Sequence, residues 1–303
     1  MGNSKRCRGH SLVVLKNGKI HKEVGKTNSL FNIASIRKTL LSALYGIFIK
    51  RGVINPDVTL EQLGIDDNYP ELTPLEKQAT IRDLLKMKSG VYHPANYETL
   101  DAKNTKPDRG SHKPNEFYYY NNWDANTAGT IFMQLTGKDL FQSFQDEIGS
   151  KVGLQDFDLK QCEYKQPDLN SIHKAYLFKM SSRDLAKFGE LYANEGNFNA
   201  TNIIPKDWIS ESTHAYSQEP DGKGVGYYWY IENNKQLFGD YKYPNRSIGF
   251  SGYPGHFLLV IPNEKLVVVY EHDIFSYEKP KATSQEFGEL VLAIRECEIL
   301  TKN

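Results

Sequence analysis

The chain has 303 residues, 39% of them apolar and 24% charged, a composition that fits an ordinary globular protein of one large domain or two packed ones. Its 37 Lys and Arg balance its 37 Asp and Glu, which argues against steering toward nucleic acid or an anionic membrane and favours a small uncharged or zwitterionic partner. Cys7, Cys162 and Cys297 form no CxxC pair, HExxH is absent and the eight histidines lack ligand spacing, so no disulfide framework, metal or other cofactor is expected.

Met1 to His10 is basic and polar and does not read as a signal peptide. The expected location is cytoplasmic if Met1 is the native start, and periplasmic or secreted if a leader was removed. Leu12 to Lys16 and Lys19 to Val24 flank Asn17-Gly18, a hairpin signal because both turn positions need positive φ. Ala34 to Arg51 predicts a helix with Ile36, Leu40, Leu44 and Phe48 on one face and Gly52 as its stop. Its apolar stretch, Leu40 to Ile49, is too short to span a bilayer.

From about Asn55 to Pro205 the pattern is helices and loops. Thr80 with Asp83 forms a capping-box start to the run Ile81 to Met87, closed by Gly90. Asn121 to Leu135 before Gly137, and Ser182 to Asn194 before Gly196, predict two further helices, while Asp101 to Asn115 reads as an exposed loop. Strand character returns in Gly226 to Glu232, Ile248 to Ser251, Phe257 to Ile261 and Leu266 to His272, with a turn at Pro262 to Lys265. Ser284 to Leu300 is a final helix carrying Phe287, Leu290, Leu292 and Ile294. This order predicts an α/β fold whose sheet is built from both ends of the chain, 1–54 and 206–303, around a helical insertion, 55–205.

Ser35-Ile36-Arg37-Lys38 sets a serine and a lysine three residues apart on one helix face, about 5–6 Å apart at Cβ. At the start of a helix the serine meets the positive end, and a desolvated lysine beside it sheds its proton and serves as base. Chance alone supplies about one Ser-x-x-Lys in a chain of this length, and Ser171 to Lys174 and Ser276 to Lys279 fit equally well. Only Ser35 opens a long apolar helix after a hairpin. In Tyr118-Tyr119-Tyr120-Asn121-Asn122, a tyrosine two residues before an amide supplies a phenolic proton shuttle and a donor for a substrate carbonyl. The ordinary roles of these residues are core packing and helix capping. Gly249-Phe250-Ser251-Gly252-Tyr253 is a strand whose small residues let backbone N–H groups approach a ligand, or else a plain edge strand.

These three elements, in this order, resemble the serine β-lactamase and penicillin-binding protein superfamily, most closely its class C-like branch, which includes esterases and 6-aminohexanoate-dimer hydrolases. Ser35 to Lys38 matches the Ser-x-x-Lys motif. Tyr120 to Asn122 matches Tyr-x-Asn, and Gly129, nine residues after Tyr120, favours it over the Tyr119 to Asn121 alternative. Ile81 to Leu85, Ser182 to Leu185 and Gly226 to Trp229 add support, so the likeness runs from Gly9 to Asp273.

The resemblance implies a β-lactamase/transpeptidase-like fold, an antiparallel sheet flanked by helices with an inserted all-helical domain and the site in the cleft between. It also implies a serine hydrolase cleaving an amide or ester through an acyl-enzyme, with Ser35 as nucleophile and Lys38 and Tyr120 as proton handlers. Asn122, Phe250, Ser251, Gly252 and Tyr253 would contact substrate, and the N–H groups of Ser35 and Tyr253 would form the oxyanion hole. Two departures stand out: Phe250 occupies the Lys or His place of the third motif, and the helix that usually precedes the first strand has no counterpart. The first weighs against efficient β-lactam or D-Ala-D-Ala turnover, with Arg246, Lys223 and His256 left as groups that could compensate. The rival readings are a true β-lactamase or D-Ala-D-Ala carboxypeptidase, and a non-catalytic relative that only binds ligand.

Overall fold

The computed structural model describes residues 10–68, 70–166, 171–233, 237–273 and 281–300. Strands β1 (His10–Lys16) and β2 (Lys19–Gly25) form the hairpin, with Asn17 at φ 49° and Gly18 at φ 75°, the positive pair that the turn requires. The sheet continues with β3 (Ser217–Gln218), β4 (Gly224–Val225), β5 (Tyr230–Ile231), β6 (Ile248–Gly252), β7 (His256–Ile261) and β8 (Leu266–His272). These eight strands lie in the order β2-β1-β8-β7-β6-β5-β4-β3, every pairing antiparallel. The first hairpin closes onto the last strand, Val13 opposite Val269, so the sheet joins both ends of the chain.

Gly226 to Glu232 is not one strand. The chain reverses there, with Gly226 N–H donating to the Trp229 carbonyl and Tyr228 at φ 60°, which splits the segment into β4 and β5.

The described helices that matter to the site and sheet are α1 (Arg37–Lys50), α2 (Ile81–Leu85), α3 (Asn122–Thr136), α4 (Ser182–Ala193) and α5 (Ser284–Leu300). Helix α1 starts three residues later than Ala34, because Ala34–Ile36 is a 3-10 turn, and it is buried on nearly every side rather than along one stripe. The Thr80–Asp83 capping box forms as expected, but α2 stops at Leu85 because Met87 turns to φ 54°. Asn121 caps α3 by accepting from Asp124 N–H at 2.7 Å, and Gly137 ends it in the left-handed conformation. The loop 101–115 begins inside a short helix, Leu100–Asn104.

Helices cover both faces of the sheet. On β7, Leu258 and Val260 lie against Gly189 of α4, while the ring of their neighbour Phe257 stacks on Phe287 of α5 with centroids 4.6 Å apart. Among the described residues no helix is long and apolar enough to cross a membrane.

Glu271 of β8 is fully buried and accepts a hydrogen bond from Ser182 Oγ at the start of α4. Burial pushes its carboxyl up to about 8 against the lowering effect of that bond. The unfolded chain would release this proton near the ordinary glutamate value of about 4.3. Between those two values the folded state holds a proton that the unfolded state has lost, so stability from this group falls as pH rises, by a few kcal/mol in all. The fall in Tm from pH 5 to pH 8 should therefore be smaller in Glu271→Gln than in wild type. Calorimetry at the two pH values checks this; an unchanged difference would contradict it.

Candidate active site

The first observation is local. Ala34 adopts φ 47°, a left-handed conformation costly for a residue with a Cβ, and its N–H donates to Asn32 Oδ1 at 3.0 Å. That turn lifts Ser35 into the 3-10 segment ahead of α1, half-buried and near the helix's positive end. In 3-10 geometry residues i and i+3 eclipse one another, and Lys38 Nζ lies 3.0 Å from Ser35 Oγ.

Two side chains around α3 complete the group. Tyr120 Oη donates to Ser35 Oγ at 2.7 Å and accepts from Lys38 Nζ at 2.8 Å. Asn122 Oδ1 also accepts from Lys38 Nζ, at 2.8 Å, and its Nδ2 donates to the Tyr97 carbonyl. Since a carbonyl only accepts, the Tyr97 oxygen takes the Nδ2 end and leaves the amide oxygen facing Lys38. The Asn122 amide is thus engaged at both ends, as a tie between Lys38 and the 97 loop rather than a side chain aimed only into the cleft. Tyr119 faces elsewhere, donating to the Ala102 carbonyl, so geometry separates the two Tyr-x-Asn alternatives.

Lys38 is fully buried, and that burial, followed by the charge of Arg37, holds its amine well below the ordinary lysine range. Burial raises the Tyr120 phenol, while the bond to Ser35 and the charge of Arg37 pull it back. Burial thus shifts the lysine toward its free amine and the tyrosine toward its phenol, and both touch one serine hydroxyl.

Strand β6 closes the other side. Gly252 packs so tightly on the serine turn that an added Cβ would meet the Ile33 carbonyl at 2.6 Å and Ala34 Cβ at 3.1 Å, which explains a glycine there. Ser251 and Tyr253 face a cavity of about 530 Å³, together with Ser35, Tyr120, Leu100 and Tyr230. Tyr253 is 69% exposed at its mouth, and Lys281 Nζ lies 4.8 Å over its ring. A larger cavity of about 900 Å³ opens elsewhere, on Asn194, Glu195 and Arg246, and includes none of the Ser35 group. Amides there are tied into their own turns, as Asn197 Nδ2 is to the Asn194 carbonyl. Size alone does not make that cavity the reactive one.

A Beta-lactamase family model matches residues 1–284. The chain belongs to the beta-lactamase family. An uncharacterized protein of Alkalihalophilus pseudofirmus is 22% identical over 325 residues, covering 94% of this chain and 91% of that protein. Among solved structures, a Bacillus anthracis protein described as a candidate 6-aminohexanoate-dimer hydrolase superposes with a TM-score of 0.70 at 20% identity, over 98% of this chain and 80% of that one. The octameric penicillin-binding protein homologue from Pyrococcus abyssi gives 0.68 at 18%, over 94% and 73%. A family VIII carboxylesterase gives 0.65 at 16%, over 93% and 92%. At these identities the superpositions establish the fold, a beta-lactamase-like hydrolase architecture with esterase and amidase neighbours.

Against that family background, Phe250 is 1% exposed and stacks on Tyr230 with centroids 4.5 Å apart, on the side of Tyr120, 6.4 Å away. Of the three groups left open by the sequence, only Lys223 lies on a ring of this stack, and its charge is paired. Arg246 is exposed beside Glu195 at 4.0 Å. Lys223 pairs with Asp221 and lies over the Tyr230 ring at 4.8 Å. His256 is buried, and desolvation pushes its imidazole down to about 3, so it is uncharged.

Ser171 has a structural role. It is buried and donates to Asp67 Oδ2 at 2.6 Å, in a carboxylate site shared with Trp123 Nε1 and Ile172 N–H. Ser276 and Lys279 lie outside the described residues, as does Cys7. Among the described residues no cluster of three or more His, Cys, Asp or Glu could hold a metal ion. Three residues at the site were not singled out from the sequence: Tyr97, Asn126 and Arg37. Only Arg37 left a trace there, as a charge beside Lys38 at the head of an otherwise apolar helix.

Proposed function

We propose that this protein is a serine hydrolase that cleaves a neutral amide or ester through an acyl-enzyme on Ser35. The observation that carries the reading is the closed triangle of Ser35 Oγ, Lys38 Nζ and Tyr120 Oη, with sides of 3.0, 2.8 and 2.7 Å. As Ser35 Oγ bonds to the carbonyl carbon, its proton passes to the neutral Lys38 amine. The N–H groups of Ser35 and Tyr253 stabilise the oxyanion, each such donor contributing about 10²–10³ in rate. When the carbonyl carbon releases its nitrogen or oxygen, Tyr120 and Lys38 supply the proton to that leaving atom. A water molecule then repeats the sequence, breaking the acyl bond and returning a proton to Ser35. The substrate enters between the Ser35 turn with strand β6, from the sheet-bearing part, and the 99–122 segment of the helical insertion.

Phe250 decides between neutral and anionic substrates. Phe250 is buried against Tyr230 and, unlike a lysine or histidine at that place, brings no cation to the strand, so a substrate carboxylate there loses water without a partner from this position, a cost of several kcal/mol. This disfavours the β-lactamase and D-Ala-D-Ala carboxypeptidase readings, while the complete triangle disfavours a mere binder. The test is kcat/KM for nitrocefin and for a neutral p-nitrophenyl ester, in wild type and in Phe250→His. Wild type should prefer the ester, and Phe250→His should move the ratio toward nitrocefin. Wild-type nitrocefin turnover near about 10⁶ M⁻¹s⁻¹, ordinary for a good enzyme, would contradict the substrate class; no turnover of either would contradict the enzyme.

A further inference from the structure

Arg37 stands between Ser35 and Lys38 in sequence and is fully buried. Its Nη1 donates to the Ala34 carbonyl at 3.4 Å and its Nη2 to Asn126 Oδ1 at 3.3 Å. Its guanidinium carbon lies 5.0 Å from the Tyr176 ring centroid and 5.9 Å from that of Tyr97. Nε has no hydrogen-bond partner, and no carboxylate forms an ion pair with Arg37 among the described residues.

A guanidinium stays protonated inside proteins, and a buried cation without a counter-charge is costly. A leucine or methionine would fill such a place without that cost. The titratable groups around it do not supply the missing negative charge. Tyr97, Tyr120, Tyr176 and Tyr228 face this region from the 97 loop, the start of α3, a short strand at Tyr176–Leu177 and the β4–β5 turn. Burial raises the last three phenols. Asp124 on α3, which acts with Arg37 on Tyr228, is itself pushed by burial up to about 8.

We propose that Arg37 is a positioning residue for this site: a buried cation with no carboxylate partner among the described residues, which braces the Ser35 turn through the Ala34 carbonyl and sets its positive charge next to Lys38. The functional sense of that effect rests on Lys38 being the base. Of two neighbouring buried cations only the lysine can shed its proton, so the charge of Arg37 falls on Lys38 as a bias toward the free amine. Burial remains the larger cause of that bias, with Arg37 second.

The test is an NMR titration of protein labelled with ε-13C lysine, the Lys38 signal being assigned by its loss in Lys38→Arg. In wild type Lys38 should titrate below the ordinary lysine range. In Arg37→Gln, which keeps an amide donor for the Ala34 carbonyl but removes the charge, the titration should shift upward. Should Arg37→Gln not fold, Arg37→Met carries the same expectation. An unshifted Lys38 titration in the folded neutral variant, even with a lowered Tm, would overturn the proposal, as would an ordinary lysine titration in wild type. Turnover plays no part in this measurement, so failure of Ser35 to acylate would count against the hydrolase reading alone.

Discussion

Ser35→Ala should lose at least about 10⁴-fold in kcat on p-nitrophenyl butyrate, because the loss of a nucleophile removes the covalent route and leaves only binding and oxyanion stabilisation. Its fold should survive, since the half-buried hydroxyl donates to no backbone group and the turn is held by Asn32, Arg37 and Gly252. Ser171→Ala is the matched control. It removes the bond to the buried Asp67 carboxylate, so Tm should fall by several °C while kcat stays near wild type. Steady-state kinetics beside thermal melts read both effects. A Ser35→Ala enzyme that retained more than a few per cent of activity would mean that another group attacks the substrate.

Lys38→Met and Tyr120→Phe should each reduce kcat by about 10²–10⁴-fold, the range ordinary for general acid–base groups. The two side chains share one hydroxyl and touch each other at 2.8 Å. Removing either breaks the same proton path, so the double variant should fall little below the poorer single variant. Fully multiplicative losses would show that they act on separate steps. The pH profile carries a second expectation with a defined sign. Because Lys38 is depressed below the lysine range, its neutral form is available at lower pH than an exposed lysine would allow. The acid limb of kcat/KM in wild type should therefore lie below the ordinary lysine value, and Lys38→Met should abolish that limb.

Much of the frame was legible because the signals were local. Asn17-Gly18 demanded a hairpin turn through backbone sterics alone, and Asn121 with Gly137 marked both ends of α3. The Ser35–Lys38 pair was readable for the same reason: three residues along one turn suffice to bring the side chains together. Its detail was not, since a left-handed Ala34 and a 3-10 start are set by Asn32, Arg37 and the pressure of Gly252. Strands β4 and β5 were missed as separate elements because two-residue pairings carry no period, and Tyr228 makes a turn that usually signals itself with glycine. The bonds from Arg37 to Asn126 and from Asn122 to the Tyr97 carbonyl span 89 and 25 residues. No spacing rule reports such contacts, so these ties emerged only once the chain was folded.

The central claim is that Ser35 forms a covalent acyl-enzyme, and a fluorophosphonate label reads it most directly. The protein is treated with the reagent, digested and sequenced by mass spectrometry, with Ser35→Ala alongside. One adduct per chain on Ser35, absent from Ser35→Ala and slowed in Lys38→Met, is the predicted result. No adduct on the folded protein, or an adduct on another serine that persists in Ser35→Ala, would contradict it.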